Sequence, residues 1–265
     1  MPAQEDRNFF SAFKTQRRIV GALLMREVIT RYGRHNIGFM WLFIEPMMFT
    51  LGVLFMWTFM GLHKVQLPIV PFCLSGYATI LLWRNTINRS GNAVEPNRTL
   101  LHHRNVRIIN LFLARTILEI AGATMSCAIL FSFFIFVGLA NVPYDILKFV
   151  FAWTLLAWFS FDMSLILGAL STLSEVVERV WHVFAYLFLP LSGAFYMVEW
   201  LPREFGKAVQ WVPIVNCTEL LREGLFGPLI RAHYSITYVI IFNTIFLFFG
   251  LFLMRYISNR GVDGE

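Results

Sequence analysis

Residues 31–49 read RYGRHNIGFMWLFIEPMMF: two arginines and a histidine run straight into an apolar stretch, and Glu45-Pro46 sits eight residues beyond Ile37. A basic lead-in followed by apolar residues is the entry to a membrane span. At a rise of 1.5 Å per residue Glu45 lies about 12 Å past Ile37, too deep for a boundary residue. Pro46 lacks an amide donor and frees a carbonyl one turn back, near Leu42, which predicts a kink in this first span. An acid beside a kink is tolerated when it faces protein or a polar conduit rather than lipid, so Glu45 is expected to point inward.

The rest of the chain agrees with a membrane class. It has 265 residues, 57% hydrophobic and 14% charged, with a mean hydropathy of +0.63, against roughly 25% charged residues in soluble domains. A crossing helix needs about 20 apolar residues. Six stretches meet that length: about 37–60, 65–83, 120–140, 149–171, 180–200 and 236–254. The windows 65–83 and 120–140 carry no charge. Six spans place both termini on one side, and the distribution of Lys and Arg names that side. The tail 1–36 carries seven such residues and the 84–107 segment carries Arg84, Arg89, Arg98, Arg104 and Arg107, whereas the opposite short loops carry Lys64 and Lys148. The tails and the 84–107 loop are therefore expected in the cytoplasm. The whole chain, 1–265, reads as one transmembrane domain with no removable signal peptide.

Three segments between the spans are patterned. In the first 36 residues Phe9, Phe13, Val20, Leu23 and Leu24 share one helical arc while Lys14, Arg18 and Arg26 point elsewhere. That is an interfacial helix or a plain basic tail. The loop 84–107, RNTINRSGNAVEPNRTLLHHRNVR, is punctuated by Gly91 and Pro96, and Asn97 can cap a short helix through Leu100, Leu101 and Arg104. His102-His103 lacks a third ligand nearby, so no metal site is read. The segment 199–235 is too polar to span. Its Pro202, Pro213, Gly224 and Gly227 bound two short amphipathic stretches, which fits either a re-entrant hairpin before the last span or a flat interfacial cap.

Within the spans, Arg115 and Glu119 stand four apart and read as a local ion pair. Asp162 is an isolated intramembrane carboxylate, placed there either by a transport pathway or by packing with Ser160 and Ser164. Trp41 and Trp57 lie 16 residues apart, about 24 Å along a helix, which suits one anchor at each interface. With 28 Phe in the chain, any one aromatic is first of all lipid-facing or packed. Trp41, Phe49 and Tyr196 are the candidates for a conduit wall. No GxxxxGK[ST], HExxH, GxSxG or CxxC occurs, so neither a phosphate loop nor hydrolytic chemistry is legible. Two classes remain open on these grounds, an energised transport subunit and a passive channel or scaffold.

Several stretches carry a resemblance. Arg34, Gly38, Trp41 and Pro46 in RHNIGFMWLFIEP resemble the entry to the first span of ABC-2-type exporter permeases. The longer MREVITRYGRHNIGFMWLFIEPM (25–47) is similar to capsule-polysaccharide export permeases of Gram-negative bacteria, the KpsM/BexB/CtrC type. The likeness continues through LSGY (74–77), WRNTINR (83–89), LLHHRNVR (100–107), LPLSGAFYMVEWLP (189–202) and ELLREGLFG (219–227). The acid before the first-span proline marks the capsule branch.

The resemblance implies an all-α membrane protein of six transmembrane helices working as a homodimer with two copies of a separate ATP-binding subunit. ATP and Mg2+ would sit on that partner, and this chain would bind no cofactor. The cargo would be a lipid-linked capsular polysaccharide crossing the bacterial inner membrane, passed on to a periplasmic co-polymerase and an outer-membrane channel. Nucleic acid has no part. Within the same fold, O-antigen or teichoic-acid-type glycans are the alternative cargo. By this likeness Asn97, Arg98, Leu100, Leu101, His103 and Arg104 would couple to the ATPase. Pro213, Glu219 and Arg222 would belong to a periplasmic gate, and Trp41, Glu45, Phe49, Asp162 and Tyr196 to the conduit.

Overall fold

The computed structural model describes residues 9–32, 67–91 and 107–260, together with Ala93, Asn97 and isolated positions between Met40 and Phe59. The described residues are helical, with no strand among them. Glu45, Phe49, Arg98, Leu100, Leu101, His103 and Arg104 lie outside the described residues.

Helix α1 spans Phe9–Tyr32 and continues through Glu27 and Arg31. Helix α2 (Ile69–Ile80) starts behind Pro68, whose fixed φ of −61° stands at the N-cap. It passes through a π-helical turn, Leu81–Asn85, into α3, Thr86–Gly91. Arg84 and Arg89, read from the sequence as loop residues, therefore stand on helix. Nothing in RNTINR breaks a helix before Gly91, and burial of Leu82, Trp83 and Ile87 keeps it wound.

Helices α4 (Ile108–Phe136) and α5 (Ile146–Leu173) form an antiparallel pair. Gly138 turns the chain with φ +79°. Asp145 then caps α5 by accepting from the Lys148 amide at 2.9 Å, which satisfies one of the orphan donors of the first turn. Along the pair Phe131 meets Phe149 with ring centroids 5.6 Å apart, the Trp153 indole donates to Thr124 at 2.9 Å, and the Thr116 and Ser164 hydroxyls lie 2.8 Å apart. Residue numbers rise along one helix as they fall along the other.

Helix α9 (Ile236–Arg260) also packs on α5, but runs parallel to it. Asn243 donates to the Leu155 carbonyl at 3.1 Å, and Gly250 sits against Asp162 and Leu165 further along both helices. The described helices long and apolar enough to cross a membrane are Ile108–Phe136, Ile146–Leu173 and Ile236–Asn259. Phe248 and Phe252 stay exposed on α9, as side chains facing lipid must.

Because α5 and α9 point the same way, the chain between them has to travel back along α5. Helix α6 (Glu175–Phe188) starts that return. It lies antiparallel to α2 and α3: Trp181 donates to Asn88 at 2.8 Å, Arg84 sits 4.4 Å over the Tyr186 ring, and Trp83 meets Phe188 edge-on. The sequence carried this apolar run to residue 200, yet the helix stops at Phe188. Pro190 opens a 3-10 turn, Pro190–Ser192, and Gly193 adopts φ +75°, a left-handed cap that other residues resist. A second 3-10 turn, Val198–Trp200, leads to α7 (Arg203–Val209) and α8 (Pro213–Phe226).

Candidate functional site

Helix α8 collects the polar chemistry of the fold. All of it except Glu223 is buried, though it carries Asn216, Glu219, Arg222 and Glu223. Pro213 at its first turn loses only an amide that would have had no helical partner. Close approach does the rest. A Cβ on Gly224 would lie 2.6 Å from the Phe149 amide nitrogen, so only glycine lets α8 cross the start of α5 at this distance. The Asp145 amide donates to the Gly224 carbonyl at 2.8 Å across that crossing.

Arg222 is fully buried and donates to the carbonyls of Gly193 at 2.7 Å, Tyr196 at 2.6 Å, and Ala194. Its guanidinium also lies 4.0 Å over the Phe72 ring of α2. Glu219, one turn earlier and equally buried, accepts from the amides of Val198 at 3.0 Å and His233 at 3.0 Å. The cation binds carbonyls and the acid binds amides, so the loop 193–198 is held by both. Charge-assisted bonds of this kind are about twice as strong as neutral ones.

A second row of contacts holds the segment entering α9. Asn216 accepts from the Ser235 amide at 2.9 Å while donating to the Gln210 carbonyl at 2.6 Å. Glu223 accepts from the Tyr234 hydroxyl and pairs with Lys148 at 3.3 Å. Burial, then the Glu223 carboxylate, pushes the Tyr234 phenol up to about 12, so it stays a donor at neutral pH. Asn216, Glu219 and Glu223 recur at three and four residues, one face of a helix. That spacing is legible in the sequence.

Of the other sequence candidates, Tyr196 stands beside this site, half-buried, its hydroxyl donating to the Leu191 carbonyl at 3.2 Å. Trp41 is 58% exposed, and nothing described brings it to α8. Asp162 lies elsewhere, in the middle of α5 and 1% exposed. Apart from a contact with the Trp158 side chain one turn earlier, its carboxylate oxygens have no hydrogen-bond partner among the described residues. The serines expected to support it are committed elsewhere, Ser160 to the Leu156 carbonyl and Ser164 opposite Thr116.

The opposite end of the fold carries an ionic chain. Asn97 is buried, donates to the Ala93 carbonyl at 2.9 Å and accepts from Arg26 of α1 at 2.9 Å. Arg115 and Glu119, read as a local pair, reach further than that. Arg115 meets Glu27 of α1 at 2.8 Å and the Arg89 carbonyl at 3.0 Å. Glu119 meets the Arg89 side chain at 3.2 Å. These bonds tie α1 to α3, α4 and residue 97.

Known proteins share this sequence along its length. The family model described as ABC-2 type transporter matches residues 18–226. The capsule polysaccharide export inner-membrane protein CtrC of Neisseria meningitidis serogroup A is 38% identical over 97% of both chains. BexB of Haemophilus influenzae, also named a capsule polysaccharide export inner-membrane protein, is 35% identical over 97% of both. The polysialic acid transport protein KpsM of Escherichia coli is 27% identical over 92% of this chain and 95% of its own. The chain belongs to the ABC-2 type transporter membrane family.

Proposed function

We propose that the chain is the permease subunit of an ATP-driven exporter that moves lipid-linked capsular polysaccharide across a bacterial inner membrane. The observation that carries this reading is the 38% identity, over 97% of both chains, with a protein named for capsule polysaccharide export. Two such permeases would pair with two ATP-binding subunits, which would hold ATP and Mg2+. A periplasmic co-polymerase and an outer-membrane channel would take the polymer onward.

The geometry supports a division of labour along the chain. The parallel run of α5 and α9 fits six spans with both termini in the cytoplasm, since α6 and the turns after it then serve as the return crossing. Helix α8 would be the inner limb of a re-entrant hairpin, with Pro213, Glu219 and Arg222 at a periplasmic gate. Its burial supports this over a flat cap, because non-crossing backbone survives at membrane depth only when protein covers it. At the other face, residues 98–104 would dock on the ATPase, with Arg98, Leu100, Leu101, His103 and Arg104 at the contact. Asn97, bonded to Arg26, would set the position of that loop on α1. Trp41, Glu45, Phe49, Asp162 and Tyr196 are proposed for the conduit.

Deletion of the gene tests the reading. Loss of surface capsule, restored by the intact gene, is expected, and capsule that survives the deletion overturns the proposal. Co-purification of an ATP-binding subunit separates the energised exporter from a passive channel.

A further inference from the structure

Helix α1 turns one side to the body of the fold and leaves the other bare. Leu23 is buried, and Gln16, Arg26 and Glu27 reach Asn110, Asn97 and Arg115 from the same side. Between the Gln16 and Glu27 contacts α1 advances eleven residues while α4 advances five. Helix α1 therefore runs obliquely across a helix that is long and apolar enough to cross a membrane.

The bare side is basic at one end and apolar at the other. At about 3.6 residues per turn, Lys14, Arg18, Met25 and Ile29 fall within about 60° of arc, turned away from Leu23. Arg17 flanks them, and Phe13 is 60% exposed beside it. Lys14, Arg17 and Arg18 are exposed, and no ion pair among the described residues includes them. The acid of α1, Glu27, is spent on Arg115. Met25 and Ile29 are each 59% exposed, and the chain beyond them leads into the apolar stretch 37–60. The apolar half therefore lies deeper than the basic half.

Such a face fits the boundary between lipid headgroups and acyl chains, with cations at the phosphates and apolar side chains below them. A soluble acidic protein would satisfy the cations and leave Met25 and Ile29 uncovered, and a second copy of α1 would set like charges against them. We propose that the outer side of α1 is a docking surface for anionic phospholipid of the cytoplasmic leaflet, with Lys14, Arg17 and Arg18 as its charge partners. The leaflet follows from the topology proposed above, and anionic lipid gives it a negative surface potential that draws basic segments in. Arg26 of the same helix holds Asn97 at 2.9 Å, so the depth at which lipid holds α1 sets the depth of residue 97.

Gly21 sits on this side with nothing within 4 Å of an added Cβ, and the chain's own cysteines, Cys73, Cys127 and Cys217, are buried. A fluorophore on Gly21→Cys therefore reports what covers α1. The full-length protein is placed in phosphatidylcholine nanodiscs holding a small, equal share of brominated phosphatidylglycerol or brominated phosphatidylcholine. Quenching by the anionic lipid should be about fivefold stronger, the factor one basic residue at an anionic surface supplies, and should fall as salt is added. Lys14→Gln/Arg17→Gln/Arg18→Gln should bring the two lipids level. Lys14→Arg/Arg17→Lys/Arg18→Lys should keep the preference. Arg179→Gln/Arg255→Gln, which removes exposed cations elsewhere, should leave it unchanged. Equal quenching by the two lipids in the native chain overturns the proposal, as does a preference that survives the triple glutamine variant. Absence of quenching by either lipid also overturns it and gives this side of α1 to a protein surface. The readout is lipid contact alone, so its failure leaves standing the export reading, which depends on gene deletion.

Discussion

Glu219 and Arg222, one turn apart on α8, hold the same loop from opposite electrical sides. The acid takes the Val198 amide at 3.0 Å, and the base takes the carbonyls of Gly193, Ala194 and Tyr196. Both are buried. Neither charge sits there because burial suits it. Burial of an ion costs several kcal/mol in real proteins, about enough to need excellent geometry in return. What the pair obtains is a fixed path for residues 193–200, a stretch too irregular to fix itself by helix formation.

Removal of one member should therefore be costly. Arg222→Leu leaves three carbonyls unbonded and Glu219 without its neighbouring cation, and should lower stability by about 3–5 kcal/mol. Arg222→Lys keeps the charge but offers a compact ammonium to carbonyls set out for a planar fork, so it should recover only part of that loss. Unfolding midpoints of the purified protein in detergent check both. Equal midpoints for Arg222→Leu and the native chain would refute the role given to this hub.

Gly76 of α2 provides the space in which the hub closes. A Cβ there would lie 2.2 Å from the Ala194 carbonyl oxygen and 3.1 Å from the Arg222 guanidinium. Gly76→Ala should cost about 1–3 kcal/mol by overpacking. Gly21→Ala is the matched control, because nothing lies within 4 Å of its added methyl, and alanine should raise the stability of α1 by up to about 1 kcal/mol. The same detergent unfolding series reads the two opposite signs.

The sequence shows the class, the long helices and the charges of α8, and hides their partners for a physical reason. Arg222 and Glu219 bind backbone groups, which every residue has, so no pattern of side chains marks residues 193–198 as their target. The stop at Phe188 was written in Pro190 and Gly193, but the apolar run around them suits a span equally well. Arg115 shows a different limit. Glu119 at i+4 offered a sufficient local partner, and only the approach of α1 reveals Glu27. Asp162 was visible as an isolated charge, while the commitment of Ser160 and Ser164 elsewhere depends on helix contacts and rotamers.

The bond between Glu27 and Arg115 should behave as a pair. Their side chains are 25% and 17% exposed, with an N···O distance of 2.8 Å, so solvent screens the interaction only in part. Glu27→Arg and Arg115→Glu should each destabilise the attachment of α1 to α4. The swapped double variant should regain stability, with a coupling energy of about 0.5–3 kcal/mol. Limited proteolysis of α1 and the unfolding midpoint of all four proteins complete the cycle. Additive losses with no recovery in the double variant would show that the two residues act independently.

Asp162 makes the opposite prediction to Arg222. It is 1% exposed and only the Trp158 side chain is recorded as a donor to it among the described residues, so it finds much less compensation than the α8 charges do. Asp162→Asn has the same shape and cannot ionise, and its unfolding midpoint should be no lower than that of the native chain. Asp162→Leu, with no polar atom to desolvate, should be stabilised by about 1–3 kcal/mol if the site accepts its volume. The conduit role proposed for Asp162 gives such an acid within a span a reason to be kept. Asp162→Asn should therefore reduce surface capsule on the order of tenfold without loss of protein from the membrane. A destabilised Asp162→Asn would reveal a packing role, and full export by a stable Asp162→Asn would remove this carboxylate from the pathway.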